Sequence, residues 1–507
     1  MKYPVSSSAL FPVAGLLFFP LTAQTQTRPN VVFIVVDDYG WADVGYNGSR
    51  FYETPNIDKL AADGVIFTDG YAAAPVSSPA RVSIMTGKNP ARTGITDWIP
   101  GYQYGLDKQK LSKYKMLSPE IPLNMPLEEV TIGEALREQG YKTFYVGKWH
   151  CAEDSLFYPQ YQGFDVNIGG WLMGKPNGDV RKKGGRGAYF SPYHNPMLSD
   201  GPDGEYLTDR LGDECLKLMD SAGRSPFFLF LSFYAVHTPI EAKPEVTKYF
   251  EKKARKMGLD TISPFTTNKD WIRNTPYRAW HWKERTIQSD AEYAALIWSM
   301  DENVGKVLDY LKEEGLYDNT VILYASDHGS HFKTRNRDAH LNGYDDYKRS
   351  CHDGCLHVPL VICGGPFTGG KEVTDLVSTE SIPKTLLALA GVDVGDKMIG
   401  ENLLDVVEKK NHNRVNEVYA QISESRCGRC IRTENYMYSV YAPGINGGEA
   451  AASDVYADDF LYDMQKDPWQ LNNVVADPAY ANVKAELRER LLNWIQHTEG
   501  TRPTITD

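Results

Sequence analysis

A short stretch near the N-terminus, VVFIVVDD at residues 31–38, decides how the rest of the sequence is interpreted. Its first six residues are apolar without alternation, which is typical of a strand buried on both faces of a parallel sheet. Four other runs have this character: KTFYVG at 142–147, FFLFLSFY at 227–234, TVILYAS at 320–326 and VPLVIC at 358–363. Helical patterns lie between them at 131–140 and 289–315, and another follows the last strand at 381–392. This alternation predicts an α/β fold with helices on both faces of the sheet.

The composition is that of a large globular protein with an acidic surface. The chain has 507 residues, 42% of them apolar, and a formal net charge of −12. This negative charge argues against general binding of nucleic acids. Beyond about residue 410 the strands become shorter, and residues 480–497 have an amphipathic helical pattern. We therefore predict a large α/β domain over residues 24–410 and a smaller α+β subdomain over 411–507.

Residues 1–23 have the pattern of a secretory signal peptide. Lys2 precedes the apolar run ALFPVAGLLFFPL at 9–21, and cleavage is predicted near Ala23. The run is short for a membrane anchor, and no later segment is long and apolar enough for one. We therefore predict an exported protein, periplasmic or secreted, without a membrane anchor. The sequence does not predict its oligomeric state.

The seven cysteines are too few for a disulfide scaffold, and because their number is odd they cannot all pair with one another. The close spacings Cys351–Cys355 and Cys427–Cys430 permit a zinc site with four cysteine ligands. Local disulfides or free thiols fit the same spacings, and we favour those.

Titratable side chains follow the predicted strands at the point where each strand ends. They are Asp37, Asp38, Lys148, His150, His237, Asp327 and His328. Because ligands bind beyond the carboxyl ends of parallel strands, we expect one shared site there. Three carboxylates with neutral neighbours favour a hard divalent cation such as Ca²⁺. The structural alternative is a helix cap at Asp37, a loop hydrogen bond at Asp38 and packed histidines.

The stretch PVSSPARVSIMTG at 75–87 contains the motif Ser77-x-Pro79-x-Arg81-x4-Thr86-Gly87. This motif resembles the signature of the type I sulfatases, and it occurs in register with the DD, GKWH, HTP and SDHG stretches. The resemblance extends from RPNVVFIVVDD at 28–38 to LYDMQKDPWQLNNV at 461–474. It implies the alkaline-phosphatase-like fold, a mixed and mostly parallel sheet between helices, and the hydrolysis of sulfate esters.

The resemblance also implies a covalent modification of Ser77. A radical-dependent maturase would oxidise this serine to Cα-formylglycine before export, as the serine form suggests for bacterial members of the family. The hydrated aldehyde has two hydroxyls, one to attack sulfur and one whose deprotonation expels sulfate. Arg81 would hold the formylglycine and the sulfate oxygens.

The same resemblance assigns roles to the residues at the strand ends. The Ca²⁺ ligands would be Asp37, Asp38, Asp327 and His328, together with the modified Ser77. His328 departs from the commoner asparagine, which leaves the metal identity open. Asp327 would also assist deprotonation of the nucleophile, Lys148 and His150 would bind and release sulfate, and His237 and Lys348 would act at the leaving oxygen. Considered alone, Lys348 has the pattern of a solvated surface lysine.

The implied substrate is a sulfated carbohydrate. We expect exo action, in which sulfate is removed from the terminal sugar. We expect a galactose or N-acetylgalactosamine sulfate of glycosaminoglycan, mucin or algal glycans. Two polar insertions, at 96–127 and 171–206, would supply the sugar subsites. The candidate contacts are Trp98, Tyr102, Tyr104, Arg181, Lys182, Arg186 and His352. Each is also compatible with loop packing or a solvated charge.

Two other functions remain open from the sequence. A phosphonate or phosphodiester hydrolase of the same superfamily can use the same motif, whereas a phosphomonoesterase would need a second metal set that the sequence does not show. If Ser77 stays unmodified, the chain would be a glycan-binding protein without catalysis.

Overall fold

The computed structural model describes residues 28–101, 120–178, 187–266, 284–285, 287–330, 350–393, 395–423, 426–446 and 450–507. Some predictions fall outside these ranges: the signal peptide at 1–23, Tyr102, Tyr104, Arg181, Lys182, Arg186 and Lys348. Within the described ranges, no helix combines the length and apolar character that crossing a membrane requires.

An eight-stranded sheet forms the centre of the large domain. The strands up to residue 378 are β1 Asn30–Val36, β2 Val65–Phe67, β3 Gly70–Tyr71, β4 Lys142–Gly147, β5 Val166–Ile168, β6 Phe227–Ser232, β7 Phe265–Thr266, β8 Glu284–Arg285, β9 Thr320–Ser326, β10 His357–Val358, β11 Leu360–Cys363, β12 Lys371–Val373 and β13 Val377–Ser378. The order in the large sheet is β12-β2-β11-β9-β1-β6-β4-β5. A small sheet joins β10, β3 and β13.

Four of the five predicted strands lie in the large sheet, whereas the run at 358–363 is split: Val358 belongs to β10 of the small sheet and Leu360–Cys363 form β11 of the large one. The mixed, mostly parallel architecture is confirmed. The neighbouring strands run parallel except at β11, which is antiparallel to both β2 and β9. The sequence could not give that direction, because a strand buried on both faces reads as a continuous apolar run whichever way it points.

Helices cover both faces of the sheet, as predicted. The α-helices are α1 Pro55–Asp63, α2 Ser77–Thr86, α3 Pro90–Thr93, α4 Ile132–Glu138, α5 Leu207–Ala222, α6 Pro244–Lys256, α7 Ala291–Glu313, α8 Asp353–Leu356, α9 Ile382–Leu389, α10 Leu403–Val407 and α11 Ala481–Glu499. Alternate residues of β1 enter two different cores. Val32 and Ile34 pack with α5 and α7. Val31 and Phe33 pack with α2, α4 and α9.

A second sheet of five strands forms the C-terminal part. Its strands, in spatial order, are β14 Glu417–Ile422, β15 Arg426–Thr433, β16 Tyr436–Asn446, β17 Val455–Asp463 and β18 Thr504–Thr506. Helix α11 packs on one face through Leu487 and Leu491. The other face packs against Tyr71 and Leu356 of the large domain. The expectation of shorter strands beyond residue 410 was wrong, since β16 has 11 residues and β17 has 9, against 7 in β1. The sequence analysis missed β15 and β18, while the domain boundary near residue 410 stays a prediction.

The cysteines do not form the four-ligand zinc site that their spacing permitted. All seven lie in the described part of the chain, and all are buried and none is joined in a disulfide. Cys351, Cys355 and Cys430 belong to the core between the two sheets, whereas Cys427 belongs to the core under α11. Cys427 and Cys430 are an odd number of positions apart on β15, so their side chains point to opposite faces.

Candidate active site

The carboxyl ends of β1 and its neighbours bring the predicted site residues together. Val36 of β1 pairs with Ser326 of β9, so the next residue of each strand, Asp37 and Asp327, comes to the same edge of the sheet. The backbone N–H of Asp38 donates to Asp327 Oδ1 at 3.0 Å. This register explains why residues almost 300 positions apart form one site.

Ser77 begins helix α2 and is fully buried. Its Oγ lies 3.2 Å from His328 Nε2 and 3.3 Å from Lys148 Nζ. Pro79 is in the first turn, where the missing N–H of proline costs no helical hydrogen bond. The motif therefore places the hydroxyl of Ser77 between an imidazole and an ammonium group.

Arg81 lies one helical turn after Ser77 and reaches four strand ends. Its Nε donates to Asp327 Oδ2 at 3.0 Å, and Nη1 donates to Ser232 Oγ at 2.7 Å. Nη1 also donates to the carbonyl oxygen of Lys148 at 3.2 Å, and Nη2 lies 3.4 Å from Asp37 Oδ1. The guanidinium is thus fixed in one orientation at the centre of the site.

The active-site cluster, defined as Asp37, Asp38, Asp327, Arg81 and Lys148, has an excess of negative charge among the described residues. Lys148 Nζ contacts both carboxylate oxygens of Asp37 at 2.7 Å. Three carboxylates therefore share two cations, and every one of these side chains is at most 4% exposed. An uncompensated buried charge is costly, so the cluster favours a further cation.

The pKa values of two carboxyl groups express this imbalance. Burial raises the pKa of Asp37 to about 7; Lys148 opposes that shift, and the neighbouring carboxylates Asp327 and Asp38 add to it. Burial acts in the same direction on Asp327, but His328, Arg81 and Lys148 hold its pKa well below the usual range.

Three residues of this edge have the donor set of a metal site. Asp38, Asp327 and His328 are buried, and each offers one ligand atom within 4.8 Å of the others. His328 Nδ1 lies 2.8 Å from the carbonyl oxygen of Gly329 and must carry a proton to bond it. The lone pair of Nε2 then faces Asp38 Oδ1 at 3.0 Å, which is favourable only with a proton or a cation between them. These residues therefore fit a bound metal ion.

The two other predicted histidines lie around this centre. His237 Nε2 is 3.4 Å from Asp38 Oδ2, and its side chain is 13% exposed, more than the carboxylate that it faces. His150 adopts a left-handed backbone with φ of 56°, and its Nε2 lies 2.8 Å from the carbonyl oxygen of Ile99. The carbonyl oxygen of His150 accepts a hydrogen bond from Ser78, the residue after Ser77.

The structure describes two of the seven candidate sugar contacts. Trp98 is half-buried and precedes Ile99, which contacts both His150 and Ser78. The ring of His352 instead stacks on Phe460 of the C-terminal sheet at 4.3 Å. This is the packing role that the sequence analysis also allowed. Tyr102, Tyr104, Arg181, Lys182 and Arg186 lie outside the described residues, as does Lys348.

Two residues that the sequence analysis missed support Arg81 and Lys148. Ser232 Oγ donates to the carbonyl oxygen of Lys148 at 2.8 Å and accepts from Arg81. Ser232 ends an otherwise apolar strand, and that position could have identified it. Gly147 has φ of 104°, and a Cβ at this position would lie 1.8 Å from the carbonyl oxygen of Ser232. Only glycine lets these two strand ends come so close.

The fold and the site define a class, the hydrolases of alkaline-phosphatase-like fold. Within it the chain belongs to the sulfatase family, whose description "Sulfatase" matches residues 29–392. Members of this family are sulfuric ester hydrolases. A second description, "N-sulphoglucosamine sulphohydrolase, C-terminal", matches residues 342–497. The enzyme class and fold predicted from the sequence are thereby confirmed.

Three similar proteins show which members of the family the chain resembles. The chain is 25% identical to an ulvan-active sulfatase of Formosa agariphila over 97% of its own length and 88% of that protein. It is 27% identical to the mouse N-acetylgalactosamine-6-sulfatase over 73% of the chain, which covers only 64% of that relative's length. A solved structure of Ps i-CgsB with k-i-k-neocarrahexaose is 25% identical, with a TM-score of 0.69 and coverage of 94% and 95% of the two chains.

Proposed function

We propose that this protein is an exported sulfatase that hydrolyses sulfate monoesters of carbohydrates, with Ser77 converted to formylglycine and one Ca²⁺ in the site. The observation that carries the proposal is the position of Ser77 Oγ, 3.2 Å from His328 Nε2 and 3.3 Å from Lys148 Nζ. A nucleophile at this position adjoins both a metal donor set and an ammonium group that can bind a sulfate oxygen. Such preorganised positive charge is commonly the largest contribution to catalysis.

The names of the relatives support a sulfated polysaccharide as the source of the substrate. One relative is named as active on ulvan, one is named for N-acetylgalactosamine 6-sulfate, and one solved structure holds k-i-k-neocarrahexaose. The second of these names gives N-acetylgalactosamine directly. We therefore propose a terminal galactose or N-acetylgalactosamine sulfate as the substrate, removed by exo action.

Asp37, Asp38, Asp327, His328 and the modified Ser77 would hold the Ca²⁺ ion. When bound, Ca²⁺ would supply positive charge that favours the deprotonated nucleophile and neutralises sulfate oxygens. Oxygen donors from three aspartates suit this hard cation. It would also offset the surplus negative charge of the active-site cluster and leave the cluster net positive, which favours an anionic sulfate ester.

The chain's own residues bind the sulfate and transfer the protons. Hydrated formylglycine supplies two hydroxyls, one to attack sulfur and one whose deprotonation releases sulfate. Arg81 and Lys148 orient the sulfate and offset its charge, while Asp327 accepts the proton of the attacking hydroxyl. His237, with Lys348, gives a proton to the leaving oxygen of the sugar. His150 takes the proton of the second hydroxyl. Each proton transfer contributes a factor of about 10² to 10⁴.

The test is a turnover assay on protein of known modification state. The chain is coexpressed with a radical-dependent maturase, and mass spectrometry follows the loss of two hydrogens from the Ser77 peptide. Free sulfate is then measured from a panel of sulfated galactose, N-acetylgalactosamine, N-acetylglucosamine and uronic acid saccharides. We expect release from a galactose-type sugar. Modified protein that releases no sulfate from the panel would overturn the carbohydrate assignment.

Two control arms separate the alternative functions. Phosphate diesters and phosphonate monoesters are assayed beside the sulfates, and faster turnover of either would replace the sulfatase assignment. Ser77 that stays unmodified in the native host, together with retained glycan binding, would favour the non-catalytic alternative.

A further inference from the structure

His357 lies outside the active site, in the small sheet between the two domains. Its ring is sandwiched between those of Trp41, with centroids 4.7 Å apart, and Tyr71, with centroids 4.8 Å apart. The residue is only 9% exposed. Two aromatic faces on an imidazole provide a favourable environment for a positive charge.

Both ring nitrogens of His357 face acceptor atoms. Nε2 lies 2.7 Å from the carbonyl oxygen of Thr68, which can only accept. Nδ1 lies 3.1 Å from Asp353 Oδ2, and the other oxygen of that carboxylate accepts the hydroxyl of Tyr71 at 2.5 Å. A neutral imidazole carries one N–H and can satisfy only one such acceptor. Both contacts are satisfied when both nitrogens are protonated and Asp353 is ionised.

The charged groups around this ring are balanced. We define the junction cluster as His357, Asp353, Asp69, Arg432 and Tyr71. Arg432 Nε donates to the hydroxyl of Tyr71 at 3.0 Å, and the guanidinium lies 3.9 Å from Asp69 and 4.0 Å from Asp353. Two carboxylates thus face one guanidinium and one imidazolium.

The pKa values of the two central groups agree with this assignment. Burial lowers the pKa of His357, but the carboxylate of Asp353, with Asp69, outweighs burial and raises the pKa above its ordinary value. Burial raises the pKa of Asp353, yet His357 and Arg432 together bring it down to about 2.

The helix that carries Asp353 contacts both halves of the active site. In α8, the carbonyl oxygen of Cys355 accepts from the N–H of Gly329 at 2.8 Å, one residue after His328. The carbonyl oxygen of Leu356 accepts from the N–H of Ala72 at 2.8 Å, in the segment that leads to Ser77. A shift of α8 relative to Thr68 would therefore displace the metal-donor loop and the nucleophile segment together.

We propose that His357 is a positioning residue, held as an imidazolium, whose two hydrogen bonds fix α8 between the metal-donor loop and the segment leading to Ser77. Loss of its proton removes one of the two bonds and leaves a lone pair facing an acceptor oxygen. Because the pKa is raised on folding, this stabilisation is complete below the ordinary pKa of 6.5 and is lost as the pH rises through the folded value. The effect on turnover rests on the proposed function, whereas the protonation state does not.

The first experiment measures the protonation state directly. Full-length protein with ¹⁵N-labelled histidine side chains is titrated by NMR, and the resonances of His357 are assigned by their absence in H357Q. We expect both ring nitrogens to have shifts of protonated nitrogen at a pH of about 7.5, above the ordinary histidine pKa of about 6.5. An unprotonated ring nitrogen at that pH would overturn the proposal, whatever the activity of the enzyme.

The second experiment separates positioning from a general role in packing. H357R keeps two donors and a permanent charge, H357Q removes the charge, and H412R, at an exposed turn, is the matched control. In wild type and H412R we expect the midpoint of urea unfolding to fall as the pH rises through the folded pKa. In H357R this fall should be smaller than in wild type. A fall of equal size in H357R contradicts the proposal, and where a variant does not fold the NMR titration decides.

Turnover supplies the third readout. We expect H357Q to lower kcat by a factor of about 10 to 100 with little change in KM, because the reacting groups are misplaced while the sugar contacts remain. H357R should recover most of that loss, and equal loss in both variants would contradict a role in positioning. Failure of the proposed function would appear separately, as no sulfate release by modified wild type with the NMR result unchanged.

Discussion

Two buried clusters of charged side chains, the active-site cluster and the junction cluster, differ in their charge balance. Among the described residues, the active-site cluster has three carboxylates and two cations, and Asp38 faces the imidazoles of His237 and His328. The junction cluster matches Asp69 and Asp353 with Arg432 and His357. Burial without charge balance marks a place for a ligand, whereas burial with balance marks a structural joint. The predictions below test this contrast, from the largest expected effect to the smallest.

The largest effect is expected at the nucleophile. S77A should lower kcat by a factor of about 10⁴ or more, because no other group can attack sulfur from that position. Ion chromatography of released sulfate measures the loss. S83A is the matched control: Ser83 is buried on the same helix, and its hydroxyl has no hydrogen-bond partner among the described residues. S83A should retain turnover, and an S77A variant with comparable turnover would remove Ser77 from the mechanism.

Removing one carboxylate from each cluster should have opposite consequences for stability. D353N leaves His357 and Arg432 without their shared partner and should lower the free energy of unfolding by about 3 to 5 kcal/mol. In protein treated with a chelator, D38N removes surplus negative charge and should change stability by less than about 1 kcal/mol. Urea unfolding of both variants at neutral pH measures the difference. Equal losses would mean that charge balance does not distinguish the clusters.

Added Ca²⁺ should stabilise only a protein with the complete donor set. At a free Ca²⁺ concentration of about 100 times Kd, binding to the native state adds about 2.7 kcal/mol to the free energy of unfolding. Thermal unfolding with Ca²⁺ or chelator should show this increment in wild type and in the control S83A, but not in D327N. Retention of the full increment in D327N would exclude Asp327 as a ligand.

The smallest effect is expected from Ser232, which supports Arg81 without reaching the nucleophile. S232A removes a hydrogen bond of 2.7 Å to a charged group, which contributes about 1.5 to 3 kcal/mol. We expect kcat to fall roughly tenfold while the metal increment stays as in wild type, because Ser232 contacts no metal donor. A loss of the Ca²⁺ increment in S232A would show that Arg81 also shapes the cation site.

Local pattern gave most of the sheet and the strand-end residues. Unbroken apolar runs predicted the five central strands, and the residues after them assembled because parallel strands end at one edge. The direction of β11 could not be read, since a doubly buried strand has no polar face to orient it. Strand β15 was missed because its sequence, RCGRCIRT, combines arginines, cysteines and glycine, and only its neighbours in the C-terminal sheet make it a strand.

The site itself was predicted as a list of residues rather than as a set of contacts. The pattern could not show that Asp37 binds Lys148, because that pair depends on the relative position of two non-adjacent strands. His352 was among the candidates for sugar binding, yet its ring packs on Phe460 of the C-terminal sheet. The sequence analysis did not single out His357. A histidine next to an apolar run is interpreted as a core residue until its hydrogen-bond acceptors are known.

Gly147 has a practical consequence for engineering. Any side chain at this position would collide with the carbonyl oxygen of Ser232, which lies 1.8 Å from where its Cβ would be. Directed evolution of a new specificity should therefore hold codon 147 constant and place its diversity elsewhere. If codon 147 were randomised, we expect only glycine among the selected variants. The fraction of other residues that survive would then measure how stringent the selection was.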